Sequence, residues 1–415
     1  MRICHLGKFY LPACGGIETH LRTLARAQAA LGAHVQVICV NHLDKAGRDV
    51  TWQSSAHTNR SESRDGRVNI LRLSRRASWS RFDICPALPS LLRRLPASVD
   101  LLHVHVPNPT MILALAMVRP RVPWVISYHS DVVKQKFLAR MVRPFENMVF
   151  AQARAVLVSS PTYREGSAYL QKHDDKLAVI PFGIDLEPFF RPSAAATSAT
   201  RRFREQYGQP LWLAVGRLVY YKGIDLALRA LTRVPGKLLV VGEGPLRSDL
   251  LGLASRLGVA DRVSWQGRLD DAELIGAYHA ATALWFPSNA RSEAFGFVQV
   301  EAMACGCPVI NTAIPGSGVA WVSRHEQTGL TIPVNDDTAL AEASRRLLCE
   351  PGLRDRLSRQ ARARAEAEFG DELMARRTLS IYERVLNHAQ SNVEVEEPTA
   401  LQHRFLNAHA RFAHQ

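Results

Sequence analysis

The sequence lacks any apolar run close to the ~20 residues needed to cross a bilayer as a helix. Its longest candidate, Met111–Val118, is eight residues. It also lacks the cysteine pattern of a disulfide or zinc framework. Seven cysteines is an odd number, no two are separated by two residues, and Cys305 and Cys307 stand too close together for a typical zinc pair. We therefore expect seven reduced, mostly buried thiols, a cytoplasmic protein, and no signal peptide ahead of the strand that begins at Met1-Arg2-Ile3-Cys4. Internal repeats are absent, as are nucleic-acid motifs of the ribonucleoprotein, zinc-finger or basic-zipper kind. Neither a G-x-G-x-x-G fingerprint nor a D-x-D acidic pair for a metal–diphosphate bridge is found.

What is present is 415 residues, 47% hydrophobic and 22% charged, with a formal net charge of +14. The length is enough for two domains with separate cores. The charge bears on partners rather than fold, and alone it admits nucleic acid, an anionic membrane or phosphorylated substrates. Short apolar runs alternate with helical patterns. Strands are expected at Ile3–Leu6, Val35–Val40, Leu101–Val106, Trp124–Tyr128, Ala155–Val158 and Leu177–Ile180. The alternation restarts at Leu211–Val215 and continues through Leu238–Val241, Val263–Gln266, Ala283–Phe286, Val309–Asn311 and Leu330–Ile332. Such alternation argues for parallel sheets covered on both faces. Arg191–Thr200 is rich in small residues and reads as a linker. Two doubly wound α/β domains would then face each other across a cleft at the carboxyl ends of their strands, where such sheets bind ligands.

The most informative stretch is Ser288–Pro308. Glu293 and Glu301 stand eight apart, and Phe295–Cys305 reads as a helix between two strands, closed by Gly306. Gly296 permits close backbone approach to a ligand, and free N–H groups at the helix start favour anions. Gly15-Gly16 sits at an earlier strand-to-helix turn, where backbone N–H groups could meet a phosphate. Gly216-Arg217 and Lys222-Gly223 follow the first strand of the second half. An arginine that can hold two oxygens and a lysine point charge on one loop suit a diphosphate. His129 follows the strand Trp124–Tyr128. His103 and His105 alternate on one strand and so share a face. A metal site there is conceivable, but no third ligand is evident and a structural role is favoured.

The string S-E-A-F-G-x-V-x-x-E-A-M-A-x-G-x-P-V resembles the E-x7-E motif of retaining glycosyltransferases of family 4, which have the GT-B fold of two Rossmann-like domains. The G-R-x4-K-G loop at Gly216–Gly223, G-x-G-P at Gly242–Pro245 and the histidine at 129 extend the resemblance to roughly residues 1–390. It implies a nucleotide-sugar donor and no tightly bound cofactor or metal. Glu301 would hold the ribose, and Glu293, Phe295 and Gly296 the sugar and diphosphate. Arg217, Lys222 and the Gly16 N–H would neutralise the leaving diphosphate, with Gly15 beside them. His129 would lie near the sugar and phosphate. Gly216, Gly242, Gly244 and Arg268 would line the nucleotide side. The family arrangement implies an acceptor domain over 1–190, completed by a crossover helix near 371–390, and a donor domain over 201–370. Residues 391–415 would be a mobile tail.

The string YHSDVVKQK further resembles bacterial enzymes adding mannose or rhamnose to lipid-linked polysaccharide precursors such as O-antigen. It favours a GDP-sugar over a UDP-sugar and an α linkage. Arg64–Arg94 holds eight arginines and two acids among Trp79, Phe82, Ile84, Leu91 and Leu92. That mixture suits an anionic membrane surface, which would place the protein on the inner face of the plasma membrane beside a lipid-linked glycan acceptor. A plain solvated loop is the other reading. An epimerase on the same fold, or a non-catalytic basic protein binding membrane or nucleic acid, remain the alternative functions.

Overall fold

Apolar runs flanked by amphipathic helices bury both faces of a sheet, and the computed structural model contains two such sheets. It describes residues 1–11, 15–40, 60–79, 82–131 and 136–388. The expected tail, 391–415, lies outside them. The strands, in chain order, are β1 Arg2–Leu6, β2 His34–Val40, β3 Arg60–Asp65, β4 Val68–Leu73, β5 Ala77–Trp79, β6 Phe82–Ile84, β7 Leu101–Val106, β8 Trp124–Tyr128, β9 Ala155–Val158 and β10 Leu177–Val179. The second set is β11 Leu211–Val215, β12 Lys237–Val241, β13 Val263–Gly267, β14 Ala283–Phe286, β15 Val309–Thr312 and β16 Gly329–Ile332.

The first sheet has the order β10-β9-β8-β7-β1-β2-β4-β3 and is parallel except for β3, which pairs antiparallel with β4. The second, β13-β12-β11-β14-β15-β16, is parallel throughout. In each, the order reverses beside the first strand of the set, the switch point where doubly wound sheets leave a crevice. Every residue of β7, β8, β9 and β14 is buried, as expected for strands covered on both faces.

Four strands between residues 60 and 84 were not foreseen; β5 and β6 form a separate antiparallel pair. Two of their arginines have partners inside the fold. Arg75 pairs with the buried Asp83 at 3.0 Å, and Arg72 donates to the Leu11 carbonyl. Leu92 is buried in the core and Leu91 packs against it. The mixed basic and apolar face expected over Arg64–Arg94 is thus divided between core and solvent, with Arg64, Arg67, Arg76, Arg93 and Arg94 exposed.

The expected linker is also revised. Ala194–Tyr207 is a helix capped by Ser193, whose side chain accepts from the Ala196 N–H. Its small residues allow close packing, since a Cβ on Gly276 of the helix Asp271–Ala280 would fall 2.6 Å from Ala199 Cβ. Poor linker chemistry and good helix-packing chemistry look alike in an alanine-rich string.

Beyond the second sheet the chain turns back. Asp371 N–H donates to Ile184 O, and the helix over 371–388 lays Met374, Ala375, Ile381 and Tyr382 against Ile3, Leu24, Leu101 and Val125 of the first half.

Candidate active site

The loop after β14 carries the two glutamates. Gly296 caps the helix Phe297–Ala304 with φ +80°, and a Cβ there would stand 2.7 Å from Phe286. Only glycine satisfies both conditions. The helix is anchored from behind by buried amides. Gln299 donates to Phe295 O at 2.9 Å. Asn311 of β15 donates to Gln299 Oε1 at 2.8 Å and accepts from Thr331. These bonds fix the angle at which the helix start meets the crevice.

Glu293 is held by its own carbonyl, which accepts from Ser317 Oγ at 2.5 Å. Its carboxylate pairs with Lys222 Nζ at 2.5 Å, both side chains being little exposed. The two loops dock closely, with Asn289 N–H donating to Tyr221 O at 2.9 Å and Gly223 packed against the Pro287 carbonyl. Lys222 also lies 4.9 Å from the Phe286 ring centre. The close loop contact covers most of the Lys222 side chain. Arg217, on the same loop, is exposed and makes no ion pair among the described residues.

Glu301 lies one side of this pair, close enough for Lys222 to favour its ionised form. Burial outweighs that effect and raises the Glu301 pKa above the usual carboxylate range. The Tyr278 hydroxyl donates to Oε2 at 2.6 Å, leaving Oε1 for another donor. Tyr278 was not anticipated, since nothing local to its sequence marks it.

From the first sheet, Gly15 is the N-cap of the helix Gly16–Ala30, and a Cβ on Gly16 would sit 3.9 Å from the Phe297 ring. His129 follows β8 and is buried, 5.2 Å from the Phe182 ring, which in turn stacks on Phe297 at 5.5 Å and meets Phe295 at 5.1 Å. Gly16, His129, Lys222, Glu293, Phe295, Gly296 and Glu301 therefore form a continuous set at the facing ends of the two sheets.

The remaining expected residues divide differently. Gly242 (φ +133°) and Gly244 are needed for loop packing, since a Cβ on the first would meet Gly216 O at 2.0 Å and on the second Leu218 O at 2.4 Å. Gly216 itself has φ +146°. These contacts explain the three glycines without a ligand. Arg268 pairs with Glu243 at 3.2 Å on the surface.

Two residues inside quoted stretches, Arg291 in Ser288–Pro308 and Asp131 in YHSDVVKQK, were given no role by sequence analysis. Arg291 reaches across to Asp131 at 3.1 Å, donates to Gly316 O at 3.0 Å and lies over the Tyr163 ring. Asp131 is oriented by the Tyr128 hydroxyl at 2.5 Å. The Arg291–Asp131 pair joins the loop after β8 to the loop that bears Glu293.

His103 and His105 have neighbours that were not foreseen. His5, His20 and His129 surround them, and the ligand atoms of His5, His103 and His105, and of His20, His105 and His129, lie within 4.8 Å of one another. The register explains it: His5 pairs with His103, and His105 with Ser127, two residues before His129. His5, His103, His105 and His129 share one face of the sheet because alternate strand residues do, and His20 meets them from the helix Gly16–Ala30.

Comparison with known proteins agrees with this fold. Residues 198–364 match the family model of glycosyl transferases group 1, and residues 14–188 that of glycosyltransferase family 4. The chain is 30% identical over 370 residues to D-rhamnosyltransferase WbpZ of Pseudomonas aeruginosa, covering 89% of this chain and 92% of that one. It is 30% identical to O-antigen chain mannosyltransferase C of Escherichia coli, covering 93% and 99%. Among solved structures, the sucrose-phosphate synthase of Thermosynechococcus elongatus superposes with a TM-score of 0.74 at 26% identity, covering 93% and 99%. The HepE protein of Anabaena in complex with UDP does so with a TM-score of 0.73 at 19% identity, covering 92% and 100%. The two parallel sheets, the crevice between their carboxyl ends and these relationships together make the chain a GT-B glycosyltransferase, belonging to the glycosyltransferase family 4 and group 1 enzymes.

Proposed function

We propose that the protein is a retaining glycosyltransferase that moves mannose or a deoxy relative such as rhamnose from a GDP-linked donor to a lipid-linked or polysaccharide acceptor, forming an α linkage. The observation that carries the reading is the meeting of Lys222, Glu293 and the start of the helix Phe297–Ala304 at one point of the crevice. A cation and free N–H groups there suit a diphosphate. Arg217 supplies the second cation from its exposed position, and the Gly16 N–H approaches from the first half. Gly15, Gly216, Gly242, Gly244 and Arg268 shape the nucleotide side. Glu301, with one oxygen engaged by Tyr278, offers the other to a ribose hydroxyl.

In this scheme the leaving diphosphate collects negative charge as the glycosidic bond breaks, and Arg217 and Lys222 stabilise it without a metal ion. The acceptor hydroxyl enters from the face the diphosphate leaves, and a diphosphate oxygen takes its proton. Two relatives, named a D-rhamnosyltransferase and an O-antigen chain mannosyltransferase, support the sugar class and the polysaccharide acceptor. One structural neighbour, HepE, holds UDP or UDP-glucose in its complexes, which supports a nucleotide-sugar donor in general. No described helix is long and apolar enough to cross a membrane. We place the enzyme at the inner membrane face, with Arg64, Arg67, Arg76, Arg93 and Arg94 meeting anionic headgroups.

The test is a donor screen with GDP- and UDP-sugars in the presence of chelator, scored for both hydrolysis and transfer, alongside sedimentation with neutral and anionic liposomes. Turnover of a GDP-linked hexose with chelator present, and salt-sensitive binding to anionic liposomes alone, are expected. Turnover confined to UDP-sugars would reassign the donor; a strict Mg2+ requirement would overturn the metal-free scheme; equal binding to both liposomes would remove the membrane reading.

A further inference from the structure

One face of the first sheet holds polar groups that none of the steps above uses. His5, His20, His103, His105 and His129 are all buried. Burial pushes the pKa of each below the ordinary imidazole range, to about 4 for His5 and about 3 for His129. The rings are therefore neutral, and a neutral imidazole has one N–H and one lone pair. In a chain of such rings the direction of any one bond dictates the direction of the next.

The chain can be followed atom by atom. Gln28, two helical turns beyond His20, presents Oε1 to His5 Nε2 at 2.8 Å, so that nitrogen carries the hydrogen. His5 Nδ1 then accepts from His105 Nε2 at 3.0 Å. His105 Nδ1 accepts from His129 Nε2, again at 3.0 Å. His129 Nδ1 is left as a bare lone pair with no hydrogen-bond partner among the described residues. At the other end, Gln28 Nε2 donates to the Tyr382 hydroxyl at 3.2 Å. That hydroxyl donates to His103 Nδ1, and His103 Nε2 donates to Ser127 Oγ at 2.8 Å. Both ring nitrogens of His103, His5 and His105, and Nε2 of His129, therefore each have one partner.

A half turn of the Gln28 amide would reverse all these bonds and place an N–H at the His129 end. A partial reversal would leave two lone pairs or two N–H groups face to face in a buried site, which is costly. The chain therefore runs one way or the other as a unit. The atom that His129 offers to the crevice is decided some distance away, at Gln28 and at Tyr382 on the helix over 371–388.

We propose that Gln28 and Tyr382 are positioning residues that fix the tautomer of His129, so that it offers a hydrogen-bond acceptor, Nδ1, to the donor crevice. The inference rests on the crevice being the donor site. It assigns His129 to receiving a hydrogen bond from a hydroxyl of the donor sugar. The histidine cannot then hand a proton through Nδ1 to the departing diphosphate, and its conversion to an N–H donor at that atom would favour phosphate oxygen over hydroxyl hydrogen.

The test is the tautomer itself, read on 15N-histidine-labelled full-length protein by long-range proton–nitrogen correlation at neutral pH, with His129 assigned from the signal lost in His129→Asn. The measurement needs no substrate, so it is independent of whether the donor reading holds. We expect one tautomer in the wild type, protonated at Nε2 and bare at Nδ1. Tyr382→Phe, which only removes a hydroxyl, and Gln28→Leu should each convert His129 into a mixture of tautomers, while the His279 signal, outside the chain, stays fixed. With a competent donor, Tyr382→Phe should also lower kcat/KM about tenfold, the effect of about one weakened hydrogen bond. A His129 protonated at Nδ1 in the wild type would overturn the proposal, as would a His129 signal unchanged in both variants. Stoichiometric metal in the purified protein would do so too, because His105 Nδ1 and His129 Nε2 cannot both coordinate while sharing a hydrogen.

Discussion

Lys222 and Arg217 carry the same charge on one loop, yet their surroundings give them different roles. Lys222 is neutralised by Glu293 at 2.5 Å with little solvent at either side chain, whereas Arg217 projects into solvent. Arg217→Ala should cost only the lost contact to the diphosphate. Charge-assisted bonds contribute about 1.5–3 kcal/mol, equivalent to a loss of about ten- to a hundredfold in kcat/KM. Its unfolding midpoint in urea should stay at the wild-type value. Lys222→Ala should reduce turnover similarly and also destabilise the fold by about 1–3 kcal/mol, because it leaves a mostly covered carboxylate unpaired. Adding Glu293→Gln to Lys222→Ala should recover most of that stability and none of the activity. Equal stability of the two single variants would show that the Lys222–Glu293 pair does not organise the loop.

At the scale of elements, the site depends on where the helix Phe297–Ala304 begins. Gly296 and Gly32 both have positive φ, +80° and +93°, but a Cβ at Gly296 would strike Phe286 while nothing lies within 4 Å of one at Gly32. Both alanine variants meet the left-handed penalty of about 1–2 kcal/mol. Only Gly296→Ala must also move the ring beneath the helix start, so it should be less stable than Gly32→Ala by at least about 1 kcal/mol in urea unfolding and lose most of its activity. Gly32→Ala should keep its activity. The contrast also shows what the sequence makes legible. Gly296, Glu293 and Glu301 are set by local spacing, and β7, β8, β9, β11 and β14 by short apolar runs, so both could be read directly. The strands over 60–84 could not be, because their exposed positions carry polar residues and the apolar signal is thinned. The helix Ala194–Tyr207 was hidden because its packing partner, Gly276, lies far along the chain. Arg291 and Asp131 are 160 residues apart and acquire meaning only when the crevice forms. The histidine chain was legible in part. His103 and His105 share a face by alternation, but that His5 and His129 join them depends on the pairing of β1, β7 and β8, which no single strand specifies.

Taken as a whole, the molecule places that histidine chain beneath the helix Gly16–Ala30 and the returning helix over 371–388. Among the described residues, the hydrogen bonds and ring contacts of the five rings are with one another, Gln28, Ser127, Phe182 and Tyr382, and none is with a carboxylate that would stabilise a protonated ring. The folded-state pKa values are depressed, so between the ordinary imidazole value of about 6.5 and the folded values the unfolded chain binds more protons than the folded one. Stability is therefore independent of these groups above neutral pH and falls as the pH drops below the ordinary value. Each fully buried neutral histidine contributes a slope of about 1.4 kcal/mol per pH unit, so five give up to about 7 kcal/mol per unit. A fall of that size over one unit is comparable to the entire stability of a typical domain. The protein should consequently unfold in a steep acid transition near pH 5 to 6, well above the range where carboxylates titrate. Urea midpoints measured from pH 5 to 8 should be flat in the upper half and drop sharply in the lower half, with an uptake of several protons per molecule. His20 has both ring nitrogens buried without a hydrogen-bond partner, so His20→Leu removes one titrating group and no hydrogen bond. That variant should shift the acid transition to lower pH while leaving the plateau unchanged or higher. A transition at carboxylate pH, or a His20→Leu profile superposable on the wild type, would show that the histidines do not set the acid limit of the fold.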